Sequence, residues 1–126
     1  MKKTILVAED DPGIRRLLEV ILSSMGAEKV EFTICENGAV ALEAAMAGSY
    51  DLVITDLVMP EMNGYDLVSA LRGIDQYADT PVIFLTGSPI SLRPKKPEDF
   101  GGTYIQKPFD VENFMYVVNT ALISVG

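Results

Sequence analysis

Leu52, Val53 and Ile54 form an unbroken apolar run within the stretch DLVITDLVMPEMNG, Asp51–Gly64. A strand with one wet face alternates apolar and polar residues. A continuous run belongs to a parallel strand covered on both faces. That property confines the chain to architectures in which helices sandwich a sheet. Thr55 begins to leave the run, and Asp56 puts a carboxylate at its carboxyl end. Pro60 and Asn63–Gly64 then turn the chain away. In open α/β sheets, chemistry gathers beyond the carboxyl ends of the strands. Asp56 stands where a nucleophile or a metal ligand would be needed.

The rest of the chain repeats the pattern. Ile5–Ala8 reads as a short buried strand that stops at Glu9, Asp10 and Asp11. Pro12 suits the first turn of a helix with Asp11 as its cap, and Ile14, Leu17, Leu18, Ile21, Leu22 and Met25 make one helical face up to a stop at Gly26. Val30–Cys35 predicts a second strand, and Asn37–Gly38 leads into an alanine-rich helix ending about Gly48. A third helix starts near Gly64, carries Leu67, Val68, Leu71 and Ile74, and ends before Pro81. Val82–Leu85 and Thr103–Gln106 are the fourth and fifth strands, stopping at Thr86–Gly87 and Lys107–Pro108. A last helix, capped by Asp110, runs to Ile123 and buries Val111, Phe114, Met115, Val118 and Leu122. Strands alternating with helices imply a parallel sheet with right-handed crossovers.

One segment breaks the alternation. Between Thr86 and Lys107 a helix is due, but Pro89, Pro94 and Pro97 leave no room for a regular one. Ser88–Gly102 is therefore expected to be largely non-helical, poorly covered, and more ordered once the site is engaged.

Bulk properties exclude several classes. With 126 residues the chain is read as one domain, 1–126. A net charge of −8 repels phosphate backbones and argues against nucleic-acid binding. There is no histidine, so no imidazole takes part in acid–base chemistry or metal ligation. The single cysteine, Cys35, lies in an apolar stretch and reads as inert core. The N-terminal apolar run is too short for a signal peptide or a membrane span, which points to a cytoplasmic protein with no membrane partner.

In this layout four strands end in polar groups at one edge of the sheet: Glu9–Asp10, Asp56, Thr86 and Lys107. Adjacent carboxylates repel unless a cation joins them, and hard oxygen ligands select Mg2+, Mn2+ or Ca2+. Lys107 adds a fixed positive charge and Thr86 a hydroxyl donor. A carboxylate nucleophile, a cation site, an ammonium and a hydroxyl suit phosphoryl transfer, which depends on positioning and charge neutralisation. Singly, each residue has a plainer reading: Asp11 as a helix cap, Asp56 as an Asx-turn, Lys107 as a surface lysine, Thr86–Gly87 as a turn. Their joint placement makes the case.

At these residues the chain resembles the receiver domains of two-component response regulators. The motifs are ILVAEDDP, DLVITDLVMPEMNG, PVIFLTG and YIQKPF, in the family's order and spacing. The resemblance implies a doubly wound, flavodoxin-like α/β fold with five strands in the order 2-1-3-4-5, the fourth helix here largely replaced by the proline-rich loop. It implies that Asp56 is the phosphoacceptor and that Mg2+ is held by Glu9, Asp10, Asp56 and the backbone carbonyl of Val58. It implies that Thr86 and Lys107 grip the phosphoryl oxygens and that Tyr104 is the switch aromatic. Val58 and Ser88 match positions that tune phosphoryl lifetime. The implied partners are a sensor histidine kinase or histidine phosphotransfer protein and an output protein, with the domain a monomer or weak dimer that assists its own phosphorylation without being an enzyme in its own right. The competing reading is a module of the same fold that binds a partner without phosphorylation. A haloacid dehalogenase-type hydrolase would need a second Asp where this chain has Val58. Flavin binding would need a phosphate-cradling loop where it has Glu9 and Asp10.

Overall fold

The structure is a computed structural model that describes residues 2–87 and 102–124. Five strands, β1 (Lys3–Ala8), β2 (Val30–Cys35), β3 (Leu52–Asp56), β4 (Val82–Thr86) and β5 (Gly102–Gln106), form one parallel sheet in the order β2-β1-β3-β4-β5. The described helices are α1 (Pro12–Ser23), α2 (Gly38–Ala47), α3 (Gly64–Arg72) and α4 (Val111–Ser124). The expected fold class and strand order are those observed. The expectation for Ser88–Gly102 concerns, up to residue 101, a segment outside the described residues. Gly102 itself opens β5, one residue ahead of the predicted start.

Pleating sorts each strand's residues to opposite faces. Ile5, Val7, Leu52, Ile54, Ile83 and Leu85 pack with Leu18, Ile21 and Leu22 of α1 and Phe114, Val118 and Leu122 of α4. Leu6, Ala8, Val53, Val82 and Phe84 face the other way, onto Ala41 and Ala45 of α2 and Leu67, Val68 and Leu71 of α3. Both faces are covered, which is why the central strands read as continuous apolar runs. Ala41 and Ala45 are fully buried.

The caps fall where the sequence puts them. Asp11 accepts from the amides of Gly13 and Ile14 at 2.7 and 3.2 Å, and Asn37 from Val40 at 2.8 Å. Asn63 accepts from Asp66 at 2.8 Å and Asp110 from Asn113 at 3.0 Å. Each side chain satisfies an orphan donor of a first turn. Gly64, one residue past the Asn63 cap, stands so close to β3 that a Cβ there would collide with the Asp56 carbonyl. Glycine at this position lets α3 start directly beneath the end of β3.

Four details differ from the sequence reading. Helix α1 ends at Ser23, ahead of Gly26, whose positive φ of 102° turns the chain and whose carbonyl accepts from the amides of Lys29 and Val30. Leu17 and Val111, expected inside, are 41% and 43% exposed, because the buried stripe of each helix is narrower than its apolar periodicity. Helix α3 stops at Arg72, and Ile74 precedes a 3-10 turn over Asp75–Tyr77. That turn inserts Tyr77 under α2, where its hydroxyl donates to the carbonyls of Ala45 at 2.6 Å and Gly48 at 3.2 Å. A buried phenol needs such a partner, and the end of α2 has carbonyls to spare.

Candidate functional site

The carboxyl edge of the sheet collects the polar residues. Glu9 and Asp10 follow β1, Asp56 ends β3, Thr86 ends β4 and Lys107 follows β5. The ladder continues past the strands and fixes these ends: the Glu9 amide donates to the Cys35 carbonyl at 3.0 Å, Leu57 to Leu85 at 3.0 Å and Lys107 to Thr86 at 2.7 Å. Glu9 is fully buried, Asp56 is 7% exposed and Thr86 1%, while Asp10 is exposed. Burying acidic groups at the rim of a hydrophobic sheet costs stability unless something compensates.

Lys107 supplies part of that compensation. Its Nζ lies 2.9 Å from Glu9 Oε1 and 3.0 Å from Asp56 Oδ2. Burial works against the ammonium, but the two carboxylates outweigh it and hold the Lys107 pKa above its usual value. Compensation is incomplete at Glu9. Burial pushes its carboxyl up to about 7, and the Asp56 charge adds to the rise, against the attraction of Lys107 and the Asp11 amide. Glu9 Oε2 accepts from that amide at 3.1 Å. Glu9 Oε1 faces only the Lys107 ammonium, which it shares with Asp56. Two buried carboxylates sharing one ammonium leave negative charge that a further cation would neutralise.

The cluster fits one. Glu9, Asp10 and Asp56 each offer an oxygen, all within 4.8 Å of one another. A hard, all-oxygen donor set of one exposed and two buried carboxylates suits Mg2+, which keeps waters on its open side. The residues present therefore fit a Mg2+ site.

Val58 follows two residues after Asp56 with its side chain 58% exposed at the mouth of the site. Met62 donates its amide to the Pro60 carbonyl across Glu61, which sits at a positive φ of 70°. This tight turn draws the loop back towards α3. Tyr104 pairs in register with Phe84 and shares its face of the sheet, yet is 46% exposed. Ser88 lies outside the described residues. Past the site, the ring of Phe109 stacks on Phe114 of α4 at 5.1 Å and anchors the segment that carries Lys107.

Two contacts were not legible in the sequence. The Thr55 hydroxyl, fully buried, donates to the Asp56 carbonyl at 2.9 Å. Arg15 Nη1, from α1, donates to the Glu9 carbonyl at 2.9 Å. Neither residue type nor spacing marks them: the first depends on the backbone at the end of β3, and the second forms only once α1 has docked beside β1.

A parallel sheet of order 2-1-3-4-5 with this acidic pocket defines a phosphorelay receiver, and the comparisons agree. The chain belongs to the response regulator receiver domain family, whose model matches residues 5–119. It is 33% identical over 123 residues to the response regulator receiver protein CpdR of Brucella abortus, covering 97% of this chain and 98% of that protein. It is 34% identical to the uncharacterized transcriptional regulatory protein YkoG of Bacillus subtilis, covering 96% of this chain and 51% of that protein. It spans 57% of a probable transcriptional regulator, ycf29, of Porphyra purpurea. Among solved structures, the chemotaxis protein CheY4 of Vibrio cholerae superposes with a TM-score of 0.84 at 28% identity, covering 97% of this chain and all of that one. No described helix is long and apolar enough to cross a membrane.

Proposed function

We propose that this receiver accepts a phosphoryl group on Asp56 from a phosphohistidine of a sensor histidine kinase or histidine phosphotransfer protein. The observation that carries the proposal is the Asp56–Lys107 pair: a carboxylate 7% exposed at the carboxyl end of β3, with an ammonium 3.0 Å from one oxygen. An Asp56 oxygen attacks phosphorus, the bond from phosphorus to the imidazole nitrogen breaks, and the electron pair leaves with the imidazole. The product on Asp56 is a mixed anhydride. Lys107, held protonated by its two carboxylate neighbours, meets the charge on a phosphoryl oxygen, and the Thr86 hydroxyl donates to another. Glu9, Asp10, Asp56 and the Val58 carbonyl would hold Mg2+, which supplies neutralisation of the phosphoryl charge.

The consequence is a shift between two states. A phosphoryl group on Asp56 draws Thr86 and Lys107 towards it, and exposed Tyr104 turns into the space that Thr86 leaves. The face bearing Thr86, Tyr104 and Lys107 then meets its output partner differently. In this reading residues 1–126 are a single receiver, a cytoplasmic monomer or weak dimer. It assists its own phosphorylation and dephosphorylation and acts on no other substrate.

Beryllofluoride with Mg2+ tests this on the intact chain. It should shift the amide resonances of Asp56, Leu57, Thr86 and Lys107 together with those of β5, whereas Mg2+ alone should move only amides around the acidic cluster and beryllofluoride alone none. Spectra unchanged by the combination would overturn the assignment.

A further inference from the structure

Glu9 is tied down at nearly every polar group. Its amide is held by the Cys35 carbonyl at 3.0 Å, and one carboxylate oxygen by the Asp11 amide at 3.1 Å. Its backbone carbonyl lies past the last register pairs of β1, Ala8 with Cys35 of β2 and with Thr55 of β3, where both ladders have ended. Arg15 supplies a donor, reaching back from the first turns of α1 to place Nη1 2.9 Å from that oxygen. This carbonyl belongs to the peptide that joins Glu9 to Asp10. The Asp10 carboxylate stands exposed on the next residue, so its direction depends on how that peptide is held. The α1 end of the link is itself fixed, since the Arg15 amide donates to the Asp11 carbonyl at 2.9 Å and Asp11 caps the helix.

We propose that Arg15 is a positioning residue for the cation site: by clamping the Glu9–Asp10 peptide to α1, it sets the direction of both carboxylates toward a shared Mg2+. The inference rests on the metal reading above and adds to it a residue that touches neither metal nor phosphoryl group. It has a signature that simple electrostatics does not share. Arg15 is a cation near a cation site, so removing its charge should on Coulomb grounds tighten Mg2+ binding. Loss of positioning should weaken it. Partners that orient metal ligands from behind commonly change affinity by roughly tenfold or more when removed.

The test is Mg2+ titration of the full, unphosphorylated chain, followed by amide shifts at Asp10, Asp11 and Asp56. The same spectra report whether each variant is folded. Arg15→Ala should bind Mg2+ roughly tenfold more weakly than wild type. Arg15→Lys, which keeps the charge and an ammonium donor, should fall between them. Arg16→Ala removes an equal charge from an exposed neighbour and should bind as wild type or slightly more tightly. In metal-free Arg15→Ala the Asp10 amide should already be displaced. Unchanged or tighter binding by Arg15→Ala overturns the proposal alone, as does weaker binding by Arg15→Lys than by Arg15→Ala. A wild-type chain that takes up no Mg2+ overturns the metal reading and this inference with it.

Discussion

Strands β3 and β5 each bring one charge to the site, and they hold it in different ways. All five residues of β3 are buried between β1 and β4, and Asp56 leaves the sheet with its carbonyl bonded by Thr55 and its successor bonded to Leu85. Strand β5 is an edge with one neighbour, and only Ile105 of its five residues is buried. The carboxylate is thus built into the core, while the ammonium arrives beyond a thinly covered strand. Local stability follows buried contacts, so the cost of rearrangement is lowest on the β5 side. In the proposed switch, Lys107 and Tyr104 on the β5 side therefore move more readily than Asp56.

The largest expected effect sharpens this contrast through one register pair, Phe84 on β4 and Tyr104 on β5. Phe84 is fully buried and packs on Tyr65 with ring centroids 5.5 Å apart. Phe84→Ala should cost about 3–5 kcal/mol in urea unfolding. Tyr104→Ala should cost within about 0.5 kcal/mol, and should instead change how β5 amides respond to beryllofluoride. Comparable losses at the two positions would break the comparison.

Glu9 gives the next effect, through pH. Its carboxyl is raised in the fold to about 7 from an ordinary value of 4.5. The folded state therefore binds more protons than the unfolded state between those values, and stability falls as pH rises through that window. The fall is at most about 3 kcal/mol, from the size of the shift at about 1.36 kcal/mol per pH unit. Metal-free wild type should show it in urea midpoints taken from pH 4.5 to 8, and Glu9→Gln should not. Saturating Mg2+ should flatten the slope, because a cation favours the charged carboxylate. An identical slope in Glu9→Gln would assign the effect elsewhere.

Gly64→Ala is smaller and bears on how rigidly Asp56 is placed. The added methyl meets the Asp56 carbonyl, which must give way at a cost of about 1–3 kcal/mol. Because that carbonyl adjoins the acceptor, phosphorylation by a small-molecule donor should slow as well. A stability loss with an unchanged rate would show that the acid tolerates displacement.

Much of this was legible in the sequence for a physical reason. A strand covered on both faces writes itself as an apolar run, so the ends of β1, β3 and β4 could be read directly, with Glu9, Asp56 and Thr86 at them. Caps were equally plain, since Asp11, Asn37, Asn63 and Asp110 act on amides two or three residues away. Contacts set by the tertiary fold were not. Tyr77 is buried by a turn that carries no apolar period, Val111 falls outside the narrow buried stripe of α4, and Arg15 finds Glu9 only when α1 has docked. Burial of Glu9, and hence its raised pKa, was hidden for the same reason: a carboxylate after a strand reads as exposed until the loops around it are known.

In the proposed function, Asp56 is the one acceptor in a preformed acidic site. The most direct test is mass spectrometry of the chain after incubation with acetyl phosphate and Mg2+, comparing wild type with Asp56→Asn. A single alkali- and hydroxylamine-labile phosphoryl adduct should map to the peptide containing Asp56, with none on the folded variant. An adduct of undiminished yield on Asp56→Asn would contradict that assignment.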